Sequence, residues 1–170
     1  MESKTKEKLI KKLKEIGVVK KRRVNLKHAG ISNFYVDIKK AYGEPKILAM
    51  LSKAVWRQID KNITCVAAAG YGGIPLAAAV SGKYGLKLVL VREKPKEHGM
   101  NVWIDGYMPK KGDKVWIVDD VLTTGKSIKH IIKVIKKTDA KIFGCSVVVK
   151  RGDGQTDIPL FHILGAEDLL

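Results

Sequence analysis

The ten residues VDDVLTTGKS, 118–127, crowd two carboxylates, three hydroxyls, one glycine and one lysine into a single stretch. Their end, Gly125-Lys126-Ser127, matches the close of a nucleotide triphosphate loop, which needs a second glycine five places earlier so that the backbone can wrap the phosphates. Position 120 is Asp, and a carboxylate there repels a triphosphate. The ATPase reading fails on that residue. What remains suits one phosphate: Thr123, Thr124 and Ser127 offer hydroxyls, Gly125 clears space, and the helix that follows aims unpaired first-turn N–H groups at an anion. Asp119 and Asp120 then require hydroxyl donors beside the phosphate. A ribose 5-phosphate has both, its 2- and 3-hydroxyls donating to the acids and its 5-phosphate held in the turn.

The elements that must position these groups can be read from the apolar runs. ITCVAAA (63–69), LKLVLVR (86–92), KVWIVDD (114–120) and KIFGCSVVVK (141–150) predict buried strands, PLFHIL (159–164) a short last one, and NFYVDI (33–38) has strand character. Helical spacing of Leu9, Ile10, Leu13 and Ile16 predicts a helix over 3–16 that ends at Gly17. Further helices are expected over 44–59, over about 126–137, and from Ile74 to Gly85 after a turn at GYGG. Strands apolar on both faces that alternate with helices imply a mostly parallel sheet covered on each side, an α/β fold in one domain spanning 1–170.

Such sheets bind ligands at the C-terminal ends of their strands, and three segments leave those ends. AGYGGIP (69–75) lacks the third glycine of a dinucleotide fingerprint, because Pro75 stands there. Gly70, Gly72 and Gly73 still permit close approach of amide groups to an anion, against the plainer reading of a tight turn. The stretch 92–112 is long and polar, with Arg92, Lys94, Lys96 and His98 near its start. It reads as a flexible catalytic loop over a polyphosphate, against a merely solvated loop. The third segment is the acidic pair with its turn.

Composition sets the outer bounds. The 170 residues carry 33 Lys plus Arg against 17 Asp plus Glu, a formal charge of +16, which favours anionic partners without choosing among them. Much of that charge is Lys on predicted helix faces. Cys65 and Cys145 sit inside apolar runs and read as buried thiols rather than metal ligands or nucleophiles. No run approaches a membrane span and the charged N-terminus lacks a signal-peptide core, so a cytoplasmic location is expected.

The residues VWIVDDVLTTGKS (115–127) resemble the motif with which type I phosphoribosyltransferases bind 5-phosphoribosyl 1-diphosphate (PRPP). LKHAGISNFYVDIK (26–39), GYGGIPLA (70–77), REKPKEHG (92–99) and VVVKRGDG (147–154) resemble, in order and spacing, segments of the orotate phosphoribosyltransferases. The resemblance implies the type I phosphoribosyltransferase fold, with residues 1–40 as an N-terminal helix and a small hood. It implies transfer of ribose 5-phosphate from PRPP to orotate, giving orotidine 5′-monophosphate and pyrophosphate, with Mg²⁺ carried by PRPP rather than by the chain. Asp119 and Asp120 would grip the ribose hydroxyls, and Val121, Leu122, Thr123, Thr124, Gly125, Lys126 and Ser127 would continue the PRPP site around the 5-phosphate. Tyr71 and Gly72 would form the pyrophosphate turn. Arg92, Lys96 and His98 would close as a lid reaching into the neighbouring subunit of a homodimer, with Lys96 the main catalytic cation. Lys27 would contact PRPP from the hood, and Tyr35, Val36, Thr123 and Arg151 would hold orotate.

The sequence departs from that pattern. His28-Ala29 replaces the usual Ser-Gly, Gly72 a common Lys, and Glu93 a usual Lys, with Lys94 next to it. These changes remove cations from the pyrophosphate end. Two alternatives stay open: the same chemistry on a purine or uracil, and a PRPP-binding regulator that binds RNA or DNA. The +16 charge favours the regulator and a lid with Lys96 and His98 opposes it. Salt-sensitive nucleic-acid binding without turnover would select it.

Overall fold

The computed structural model describes residues 3–20, 34–97 and 103–170, and the backbone alone of 24–26 and 30–32. The first helix, α1 (Ser3–Glu15), buries Leu9 and Leu13 and turns its lysines outward. It stops as its spacing predicts, because Gly17 takes a φ of +65° that a side chain would disfavour. Two small ribbons follow: β1 (Val19–Lys20) pairs antiparallel with β4 (Tyr35–Val36), and β2 (Val24–Leu26) pairs with β3 (Gly30–Ser32). The strand character of 33–38 is thus confined to two paired residues. Beyond them the chain winds into a short helix, α2 (Lys39–Tyr42), that periodicity had not revealed. In α3 (Pro45–Trp56), the proline occupies the first turn, where a missing N–H costs nothing.

The main sheet has six strands in the order β10-β9-β8-β5-β6-β7. They are β5 (Cys65–Ala69), β6 (Lys87–Val91), β7 (Ile104–Gly106), β8 (Lys114–Leu122), β9 (Lys141–Lys150) and β10 (Leu160–Gly165). All neighbours run parallel except the edge strand β7, which lies antiparallel on β6. One face is covered by α1, α3 and α4 (Gly70–Tyr84), with Leu51, Val55, Leu76 and Val80 against Trp116, Val118 and Val148. The other is covered by α5 (Lys126–Ile135), whose Ile128, Ile131 and Ile135 pack on Val115, Ile117, Cys145 and Val147. Each such side chain contributes about 1.5–3 kcal/mol of burial. Both cysteines are buried and free.

The expected GYGG turn is instead the first turn of α4. Without a Cβ at Gly73 the helix lies directly on β8; a methyl there would come within 2.6 Å of the Val118 carbonyl. Gly70, with a φ of +61°, bends the chain out of β5, while Gly72 and Gly73 serve close packing. At the opposite end of the sheet, Asp113 accepts hydrogen bonds from Thr64 (3.0 Å), Tyr107 (2.8 Å) and the Lys110 N–H (3.0 Å), with Lys87 at 3.6 Å. Burial pushes this carboxyl up, but the combined bonds outweigh it and hold it down at about 2. That cluster ties the N-terminal ends of β5, β6 and β8 together, away from the mouth. Among the described residues no helix is long and apolar enough to cross a membrane.

Candidate active site

Chain order reverses between β5 and β8, the position where open α/β sheets leave a crevice. Residues 65–67 of β5 pair with 115–117 of β8. Beyond Ile117, β8 runs on beside β9 to Leu122, and carries Asp119 and Asp120 into the gap. A cavity of about 710 Å³ opens there.

Strand alternation sends the two acids to opposite faces. Asp119 points toward α5, is 6% exposed, accepts the Asp120 N–H at 2.9 Å and bonds to the Ser127 side chain. Burial first, then the neighbouring Asp120 charge, push its carboxyl well above the usual carboxylate range. Asp120 points toward α2 and α4, accepts the Val121 N–H at 2.8 Å and lies 3.6 Å from the Lys39 ammonium. Gly72 lies against it, since a Cβ there would stand 2.5 Å from Asp120 Oδ1. Tyr42 donates to the Gly72 carbonyl at 2.7 Å, and burial, reinforced by both acids, raises its phenol. α2 is thereby fastened over the pair.

The turn 123–127 lines the cavity and ends in α5, whose N-cap Gly125 has a φ of +75°. Its carbonyl accepts the Lys129 N–H at 2.9 Å, which opens the intrahelical bonding of α5. The turn is held from behind by a second loop. Arg151 and Gly152 donate N–H bonds to the Leu122 carbonyl, and Gly154 donates to that of Thr123 at 3.0 Å. Methyl groups at Gly152 or Gly154 would meet the backbone of Thr123 to Gly125 at 2.5 to 2.8 Å. Arg151 then reaches forward, donating to the Phe34 carbonyl at 2.6 Å with its guanidinium 4.6 Å from the Phe34 ring centre. That places it beside Tyr35 and Val36 on the cavity wall.

The structure therefore gathers Tyr35, Val36, Asp119 to Ser127 and Arg151 around one cavity. Tyr71 is 89% exposed and does not line it. Arg92 and Lys96 do not line it either: both pair with Asp105 of β7, Arg92 at 2.8 Å. Lys27, His98 and the pair His28-Ala29 lie outside the described residues. Sequence reasoning passed over Lys39, Gly152, Gly154 and His130. His130 lines the cavity and makes a 2.8 Å hydrogen bond between its Nε2 and the Arg92 carbonyl, while its ring meets Trp103 edge-on at 5.5 Å. The Arg92 N–H donates to the Trp103 carbonyl at 2.9 Å, so both roots of the 92–103 segment are clasped. Lys94, expected as one of the loop cations, and Glu93, noted only as a departure, also line the cavity. The paired glycines of RGDG were a legible signal; Lys39 and His130 had none beyond being polar residues on short helical segments.

A family model described as phosphoribosyl transferase domain matches residues 37–159. The orotate phosphoribosyltransferase of Methanocaldococcus jannaschii is 40% identical over 149 residues, covering 88% of this chain and 84% of that protein. The crystal structure of orotate phosphoribosyltransferase from Aeropyrum pernix superposes with a TM-score of 0.83 at 26% identity, over 95% of this chain and 96% of that one. The Mycobacterium tuberculosis orotate phosphoribosyltransferase in complex with 5-phospho-alpha-D-ribosyl 1-diphosphate shares the fold, with a TM-score of 0.77 at 23% identity over 97% and 98% of the two chains.

Proposed function

The chain belongs to the phosphoribosyl transferase family, and from that premise we propose that it is an orotate phosphoribosyltransferase of pyrimidine biosynthesis. It transfers the ribose 5-phosphate of PRPP to orotate and releases pyrophosphate. The observation that supports the reading is the cavity at the β5/β8 gap, which is lined by the first residues of α5, two carboxylates and Arg151.

Departure of pyrophosphate leaves positive charge at C1 of the sugar, as in glycoside cleavage. Asp120, exposed to the cavity and paired with Lys39, supplies the anionic acceptor for the ribose hydroxyls. Asp119, buried and bonded to Ser127, fixes the strand end to the turn that holds the 5-phosphate. Thr123 to Ser127 hold that phosphate through their amides and hydroxyls. Tyr35 and Val36 offer a flat wall to the base, and Arg151 presents a cation to its polar edge. Among the described residues no group of three or more His, Cys, Asp or Glu is placed to hold a metal ion. Mg²⁺ in this reading travels on the oxygens of PRPP and neutralises charge on the leaving group. The lid cations Arg92 and Lys96 are turned to Asp105 and away from this chain's own cavity, which supports a homodimer in which each lid serves its neighbour.

One assay tests the reading: purified protein, Mg²⁺ and PRPP with orotate, uracil, adenine, guanine or hypoxanthine in turn. Orotate alone should be consumed, and Asp119→Asn with Asp120→Asn should abolish turnover. Consumption of another base in preference, or an active double variant, overturns it. Salt-sensitive nucleic-acid binding with no turnover of any base would move the protein to the regulator class.

A further inference from the structure

We propose that Lys39 is a substrate-binding cation of this site: its ammonium receives the departing diphosphate on the acidic side of the cavity. The inference rests on the phosphoribosyl-transfer reading above.

Lys39 opens α2 and lines the cavity. Its Nζ lies 3.6 Å from Asp120 Oδ2 and 3.5 Å from Asp37 Oδ1. Both distances exceed the roughly 2.7–2.9 Å of a closed charge-assisted hydrogen bond. Asp37 Oδ1 is buried, with the Lys39 ammonium 3.5 Å away. The ammonium is therefore held between two carboxylates at distances longer than a closed hydrogen bond, and 43% of the side chain remains exposed. An ammonium carries three donors, so its capacity toward a ligand is intact. Burial works against its charge, but Asp120, then Tyr35 and Asp37, more than compensate and keep it protonated.

From α4 no side chain reaches the acid, because position 72 is a glycine. Gly72 abuts the Asp120 carboxylate so tightly that a Cβ would stand 2.5 Å from it. The cation beside Asp120 comes instead from α2. In the α-anomer of PRPP the 1-diphosphate and the 2- and 3-hydroxyls occupy the same face of the ribose ring. A cation in ion-pair range of the carboxylate that takes those hydroxyls consequently faces the diphosphate. The base approaches from the other face, where Arg151 is already engaged with the Phe34 carbonyl.

In the transfer the C1–O bond breaks with its electron pair going to the diphosphate. The base nitrogen forms the C1–N bond, and the proton it carried passes to the released diphosphate. Lys39 keeps its own proton throughout and donates a hydrogen bond to the oxygen on which charge accumulates, the type of contact that lowers a barrier.

The test compares wild type with Lys39→Ala, Lys39→Met and Lys39→Arg by steady-state kinetics, and by calorimetry with two probes, Mg²⁺-pyrophosphate and ribose 5-phosphate. Loss of one charge-assisted hydrogen bond should raise the KM for PRPP and the Kd for pyrophosphate about 10- to 100-fold in the Ala variant. Affinity for ribose 5-phosphate should stay within about twofold, since its phosphate is held by the 123–127 turn. Lys39→Arg should recover most of the loss because it keeps the charge. Unchanged pyrophosphate binding overturns the inference. So does an equal loss for both probes, which would mean that Lys39 acts only by placing Asp120. Should the Ala variant fail to fold, Lys39→Met preserves the aliphatic stem and is read by the same criteria. A wild type that binds pyrophosphate through Lys39 yet consumes no orotate defeats the functional reading and leaves this contact standing.

Discussion

Replacing Gly154 with Ala tests whether the phosphate turn is placed by the loop behind it. The added methyl would stand 2.7 Å from the Thr123 oxygen, 2.7 Å from the Thr124 carbonyl carbon and 2.8 Å from the Gly125 nitrogen. All three are backbone atoms of the turn, so no side chain can swing aside. Ordinary contact begins at 3.4 Å, and the turn must retreat by about 0.7 Å against the repulsive wall. The Gly154 N–H bond to Thr123, 3.0 Å long, shifts with it. Overpacking of this kind costs about 1–3 kcal/mol of stability. A misplacement near 1 Å costs about 100-fold in rate, so about 10- to 100-fold is expected in kcat/KM for PRPP. The assay is steady-state kinetics beside thermal unfolding and calorimetry with ribose 5-phosphate. A folded Gly154→Ala variant with kcat/KM within twofold of wild type would refute the claim that the turn's position depends on this contact.

Other expectations follow from the same geometry. Asp119 has its carboxyl raised by burial and by Asp120, so the folded state holds its proton more tightly than the unfolded chain. Stability must then fall as pH rises from the ordinary carboxylate range through that raised value. Asp119→Asn should unfold at a higher temperature than wild type at pH 8, with the advantage vanishing near pH 4, and a variant less stable at pH 8 contradicts the assignment. Asp113 has the opposite sign: held at about 2, it adds stability that is fully present above the ordinary carboxylate range and is lost as pH falls toward 2. Asp113→Asn should therefore lower the melting temperature at pH 7 and leave a smaller difference from wild type at pH 2.5; a gap that persists undiminished at low pH excludes the charge as its origin. Lys96→Ala should cut kcat by about 100-fold, as loss of a leaving-group donor does, while the melting temperature stays put because its partner Asp105 is reached at the surface. Wild-type kcat in that variant removes Lys96 from the lid role.

The alternating apolar strands made the sheet legible, since a strand buried on both faces leaves an unbroken run such as CVAAA or SVVV. The acidic pair and its turn were legible because their chemistry is local to ten residues. Helix α2 was hidden because four residues cannot display a helical period. GYGG was read as a turn throughout, whereas only Gly70, with its φ of +61°, bends the chain from β5 into α4; Gly72 and Gly73, which lie against β8, are indistinguishable in sequence from glycines that reverse a chain. Lys39 and His130 meet neighbours distant in the chain, Asp120 and Arg92, and only the packing of α2 and α5 brings those pairs together. The antiparallel edge β7 escaped notice inside a polar stretch, although its Asp105 pairs with both Arg92 and Lys96.

A chain with a formal charge of +16 invites every passing polyanion. Asp105 moderates that appetite by engaging Arg92 and Lys96 within the same chain. An anion that would recruit those two residues has to outbid a carboxylate already in place, and inorganic phosphate or a stray stretch of RNA backbone offers little beyond the exchange. That pairing subtracts the same free energy from every anion that takes these cations, so it screens out ligands held by charge alone and leaves those with further contacts of their own.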